Sequence, residues 1–245
     1  MKPRLVVKVG TSTLLEDHEL PTSTFELVGR SIKQIHDTYD VVLVTSGAIG
    51  FGIRETEMEQ RPTQLPRLQA LASIGQIGLM ERWRQSVHYA VLGQVLVTAH
   101  ELEDVSSASL LQKTFEAMWA MNVIPVVNEN DAITNEEITF GDNDKLAALI
   151  AVSIRARELI LLTDQDGMYA QFGTPVQTHV REIAVTDAET YVGRQTTRHG
   201  TGGMASKLIA ASIAQKGGVQ PYIASARQQD VIRRVIAGEC GTKLI

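Results

Sequence analysis

Near its C-terminal third the chain reads RHGTGGMASK, Arg198 to Lys207, and runs on into the apolar LIAASIAQKGG. Glycines at 200, 202 and 203 followed by a lysine at the mouth of a helix suit a phosphate cradle. The spacing is not that of a P-loop, which needs Gly-Lys-Ser/Thr in succession. Amides of the loop and the dipole of a helix starting near Met204 would point at the occupant, and Lys207 adds a full positive charge. The expected occupant is a polyphosphate; the competing reading is a surface loop with a solvated lysine. A second lysine, Lys8, sits inside the apolar run RLVVKVG, where a charge is costly unless it meets an anion or reaches water. Gly10, Thr11 and Ser12 follow it in a turn whose amides and hydroxyls can surround an oxyanion. The competing reading there is an edge-strand lysine whose stem lets the charge reach solvent.

Two such lysines, each beside a Gly-rich turn, suggest phosphoryl transfer, a reaction that asks for positioning and charge neutralisation. An acid between them would fix their rotamers and limit their repulsion, and Asp144 is the residue expected there. It belongs to GDND, Gly141 to Asp144, which opens an alanine-leucine helix where Asp142 suits an N-cap and Asp144 the first turn. Upstream, the run VIPVV ends in Asn128, Glu129, Asn130 and Asp131, the last of them ten residues before Gly141. Two Asn/Asp groups facing one cleft could bind an ammonium group, orient a polar substrate, or hold a lysine. A carboxylate acceptor would be ionised at neutral pH and need no general base. That agrees with six histidines that show no pairing at catalytic or metal-ligand spacing. Mg²⁺ would then be held mainly through phosphate oxygens.

These residues need a frame. RLVVKVG, DVVLVTSG, AVLGQVLVT, VIPVVNEND, ELILLTD and VQPYIAS read as strands, most of them near-continuous apolar runs as expected for strands covered on both faces. Helical patterns lie between them at 25–38, along a stripe of Leu68, Leu71, Ala72, Gly75, Leu79 and Trp83, and at 107–121, 143–155, 205–216 and 229–237. The alternation predicts an α/β domain, a three-layer αβα sandwich with a mainly parallel central sheet. Segments 133–142 and 168–198 read as hairpins or lids. In such sheets ligands gather at the carboxyl ends of the strands. Two more ends draw the eye: VTSGAIGFG, whose small residues let a ligand approach the main chain, and LLTDQDGMY, along which a base or ribose could lie.

The totals set limits. In 245 residues, 44% apolar, there is material for one large domain or two small ones. A net charge of -5 argues against a nucleic-acid surface. No run approaches the ~20 apolar residues of a membrane span. Cys240 is the only cysteine, which suits a reducing cytoplasm.

KVGTS at Lys8, VTSGAI at Thr45, PVVNEND at Pro125, FGDND at Phe140, LLTDQDGMY at Leu161 and GTGGMASK at Gly200 together resemble the amino-acid kinase family, in its glutamate-phosphorylating branch; LQALASIGQIGLM at Leu68 is similar to a helix of that branch. The resemblance covers essentially the whole chain and implies ATP-dependent phosphorylation of the side-chain carboxylate of L-glutamate. It assigns Lys8 and Lys207 to the transferring phosphoryl group, with Asp144 organising both. Ser46, Asp131 and Asn143 match glutamate-contacting positions, with Asn128 as a helper. Lys8, Gly10, Thr163, Asp164 and the loop Thr201, Gly202, Gly203, Met204, Ala205, Ser206 and Lys207 match the nucleotide site. Inhibition by L-proline, a dimer or tetramer, and a single kinase domain over 1–245 without the PUA-type domain of many members are further expectations. The alternative within the family is a different carboxylate or carbamate acceptor.

Overall fold

Continuous β-branched runs become strands buried on both faces, and the computed structural model describes this frame over residues 2–15, 23–134, 142–192 and 203–245. In chain order the elements are β1 (Arg4–Val9), α1 (Thr11–Leu15), α2 (Thr24–Lys33), β2 (Asp40–Val44), α3 (Ala48–Glu55), α4 (Leu65–Ser86), β3 (Val91–Val97), α5 (Ala99–Glu103), α6 (Val105–Ala120), β4 (Val123–Glu129) and α7 (Asp142–Ser153). There follow β5 (Glu158–Thr163), β6 (Met168–Ala170), β7 (Thr178–Val180), β8 (Glu182–Ile183), α8 (Val185–Val192), α9 (Met204–Lys216), β9 (Gln220–Ser225), α10 (Val231–Ile236) and β10 (Thr242–Leu244).

One eight-stranded sheet runs β3-β4-β2-β1-β5-β9-β10-β8, parallel throughout except where β10 meets β9. Each of the six apolar runs read as strands is one of its members. β1 is central, with Lys8 in register between Val44 of β2 and Leu161 of β5. The chain leaves β1 towards β2 on one side and later returns to β5 on the other. Their carboxyl ends therefore flank the switch point where open α/β sheets form a crevice.

Strand alternation divides the core in two. Leu5, Val7 and Val9 pack with Leu43, Ile160 and Leu162 against α2, α3, α4 and α10. Val6, Val42, Val44, Leu159 and Leu161 pack against α6, α7 and α9. Lys8 shares the parity of Val6, so its side chain lies on the second face, under α7 and α9. The segment 168–180 is an antiparallel hairpin, β6 with β7, as expected; α8 and β8, beyond it, were not legible.

The glycines of VTSGAIGFG correct one expectation. A Cβ at Gly52 would stand 2.0 Å from the Leu71 carbonyl oxygen, and one at Gly50 would stand 2.2 Å from Leu15 Cδ1. These two glycines admit neighbouring protein, not ligand. On the facing helix a Cβ at Gly75 would stand 2.0 Å from the Ala48 carbonyl oxygen, so α3 and α4 meet backbone to backbone. Gly47, at φ 105° with open space at its missing Cβ, faces no such neighbour.

Candidate active site

The first turns of α7 and α9 overhang the end of β1 and bring three charges together. Asp144 Oδ1 lies 2.6 Å from Lys8 Nζ, and Asp144 Oδ2 lies 3.3 Å from Lys207 Nζ. Relative exposure is 4% for Lys8, 0% for Asp144 and 6% for Lys207, so neither lysine reaches solvent in the manner of its competing reading. Lys8 is on a central strand, and Lys207 is anchored inside α9. The Ser206 hydroxyl donates to Asp144 Oδ2 at 2.7 Å and also lies 2.9 Å from the Gly203 carbonyl, tying the loop end to the same carboxylate. Burial pushes the Lys8 ammonium below the usual lysine range; Asp144 opposes that shift and Lys207 adds to it. Burial alone would raise the Asp144 carboxyl, but Lys8 and Lys207 outweigh it and hold the group below the usual carboxylate range. Two cations on one anion leave a net positive charge at two helix N-termini, a setting that favours a bound anion.

Gly10 leaves the approach to Lys8 open. A Cβ there would sit 3.7 Å from Lys8 Nζ and 3.8 Å from both the Leu162 carbonyl and the Thr13 hydroxyl. Across the register, Thr163 ends β5 and its hydroxyl donates to Asp164 Oδ1 at 3.0 Å. Gly203 precedes α9, while Met204 and Ala205 form its first turn beside Ser206. Thr201 and Gly202 lie outside the described residues.

Next to the charged centre is a ladder of amides. Asn143, adjacent to Asp144 on α7, donates from Nδ2 to Asn128 Oδ1 at 3.2 Å, and its Oδ1 accepts from the Glu129 backbone N–H at 3.1 Å. The two Asn/Asp groups inferred from NEND and GDND thus meet through Asn128 and Asn143. Ser46 lies buried two residues beyond β2. Its strand end is held by the Thr45 N–H on the Val127 carbonyl and by Trp83 Nε1, which donates to Thr45 Oγ1 at 2.8 Å. Asp131 is partly exposed and within electrostatic reach of Arg61. Sequence reasoning missed Arg61, Trp83 and Gln76. Gln76 had a signal: it interrupts the apolar stripe of α4, three residues before Leu79.

A mainly parallel sheet with helices on both faces, and two ammonium groups converging on one carboxylate at its switch point, define an α/β protein with a buried, net positive crevice. The chain belongs to the amino acid kinase family, whose profile matches residues 3–225. Among curated relatives, a glutamate 5-kinase of Symbiobacterium thermophilum is 38% identical, with 96% of this chain and 93% of that protein aligned. A glutamate 5-kinase of Clostridium acetobutylicum is also 38% identical, over 95% and 90% respectively. One from Haemophilus influenzae is 35% identical over the whole of this chain and 69% of its own. The fold is that of a carbamate kinase from Giardia lamblia bound to AMP-PNP, with TM-score 0.70, 17% identity, and 100% and 98% of the two chains covered. A UMP kinase from Ureaplasma parvum gives TM-score 0.64 at 14% identity over 100% and 99%. No described helix is long and apolar enough to cross a membrane.

Proposed function

We propose that the chain transfers the γ-phosphoryl group of ATP to the side-chain carboxylate of L-glutamate, giving L-glutamyl 5-phosphate, the first step of proline biosynthesis. The observation that carries this reading is the convergence of Lys8 and Lys207 on Asp144, one residue from the amide ladder of Asn143 and Asn128. The relatives' names supply the acceptor. A glutamate carboxylate oxygen attacks the γ-phosphorus, an O–P bond forms, the bond to the bridging oxygen breaks, and ADP leaves. The nucleophile is already ionised, so no general base is required. Lys8 and Lys207 neutralise charge on the moving phosphoryl group, and Asp144 keeps both ammonium groups aimed and apart.

Ser46, Asn128, Asp131 and Asn143 form the acceptor side of this reading. Gly10, Thr163, Asp164 and residues 203–207 form the nucleotide side. The carboxylate nearest the lysines, Asp144, has both oxygens engaged, so Mg²⁺ would be held mainly through phosphate oxygens and would supply further charge neutralisation. Inhibition by L-proline, a homo-oligomer and a cytoplasmic setting belong to the same proposal. The test is ATP-dependent hydroxamate formation, which traps an acyl phosphate, run in parallel with glutamate, aspartate, acetylglutamate and carbamate. Glutamate-dependent product is expected, and glutamate failing where another acceptor succeeds would overturn the assignment.

A further inference from the structure

The helix α4 touches the NENDAIT segment at both ends. Gln76 accepts from Asn128 Nδ2 through its Oε1 at 2.8 Å, and Gln69 donates from Nε2 to the Thr134 carbonyl at 3.1 Å. The two glutamines are seven residues apart, about 10 Å along one face of the helix. They bracket the turn that carries Asp131. The backbone approach of Gly75 to Ala48 seats α4 at this depth, beside the next residue, Gln76.

The direction of the amide ladder is set at one end by the Glu129 N–H, which can only donate, and matched at the other by Gln76. With Asn128 Nδ2 turned to Gln76, Asn128 Oδ1 faces the other way and accepts from Asn143 Nδ2 and from the Glu129 N–H at 3.0 Å. Asn143 Oδ1 is then turned to the same Glu129 N–H. A flip of either asparagine would set N–H against N–H. Gln76 is 8% exposed and its Nε2 is buried with no partner among the described residues, so the residue keeps this orientation while leaving that donor unmet there. A buried polar residue at that cost in an apolar stripe is not accounted for by packing, which a methionine would serve better.

We infer that Gln76 is a positioning residue: by accepting from Asn128 it completes the hold on the Asn128 and Asn143 amides that the Glu129 N–H begins, and so sets the shape of the acceptor pocket beside Asp144. The inference rests on the acceptor side proposed above. Its test compares Gln76→Met, which keeps the volume and removes the acceptor oxygen, with Gln76→Glu, whose carboxyl oxygen still faces the Asn128 amide. In the hydroxamate assay Gln76→Met is expected to raise KM for glutamate about tenfold or more, with KM for ATP within twofold of the parent and Tm not lowered. Gln76→Glu is expected to restore most of the glutamate KM. Gln69→Met, at a partly exposed site, is the second variant if Gln76→Met does not fold, and is expected to raise the glutamate KM alone by about threefold. An unchanged glutamate KM in the folded variants, or both substrates' KM values rising together with a falling Tm, would overturn the inference. So would Gln76→Glu binding glutamate worse than Gln76→Met, which points instead to direct contact between Nε2 and a substrate carboxylate. A parent protein that makes no glutamate-dependent product fails the functional proposal itself, before any variant is measured.

Discussion

A lysine in the first turn of a helix faces the end of the dipole that repels it. Lys207 occupies that place, buried, and Lys8 lies in a central strand where burial depresses its pKa. Neither position is one that stability alone selects; both are accounted for by an anion that must be met. Replacing either lysine by alanine leaves Asp144 one cationic partner, so the fold is expected to persist while turnover falls by more than about a hundredfold, each donor to a developing charge being worth on that order. Steady-state kinetics beside a circular-dichroism melt checks both halves, and near-normal turnover in either variant would remove that lysine from the chemistry. Asp131 makes the contrasting case, being partly exposed where Lys8, Asp144 and Lys207 are buried. Asp131→Ala is expected to raise KM for glutamate at nearly constant kcat, the signature of lost uniform binding. A glutamate saturation curve that does not move would take Asp131 out of the acceptor pocket.

Among the elements, legibility followed local signal. Five of the six strands were readable because burial on both faces leaves an apolar run, Lys8 within β1 being itself a clue, while β3, an edge strand interrupted by Gln94, was readable from its apolar residues alone. α4 was readable from its stripe. α1, α3, α5, β8 and β10 were not, since each spans eight residues or fewer and depends on what it packs against. α3 shows how: it starts after a left-handed Gly47, and its surface is shaped for the backbone of α4. The same packing reversed the ligand-approach reading of Gly50 and Gly52. Gly52→Ala puts a methyl 2.0 Å from the Leu71 carbonyl and must push α3 from α4. A loss of about 1–3 kcal/mol is expected, as for other overpacked cores, visible as a lower urea midpoint at unchanged slope. Because α4 carries Gln76 and Trp83 to the strand ends, glutamate KM is expected to rise in the same variant. A midpoint equal to the parent's would mean the two helices can part freely.

Across the whole molecule the sequence showed which residues would meet but not how deeply they are buried. Lys8, Asp144 and Lys207 come from three separate elements, and only the folding of α7 and α9 over β1 closes water out of their junction. That depth makes the ion triad a determinant of global stability as well as a site. Asp144→Asn leaves two buried ammonium groups without their countercharge, and removing one partner of such a cluster costs about 3–5 kcal/mol at neutral pH. The pH dependence follows from the sign of the shift. The folded carboxyl titrates below its ordinary value of 3.8, so its contribution is complete above that pH and is lost as the pH falls through the lower, folded pKa. The asparagine variant carries no such contribution. Urea unfolding of parent and variant from pH 7 downwards is therefore expected to show a gap in stability that does not narrow until below about 3.8 and closes in stronger acid. A gap that already shrinks between pH 7 and 5 would mean that Asp144 takes up its proton more readily in the folded state than in the unfolded chain, and that the two lysines do not hold it ionised.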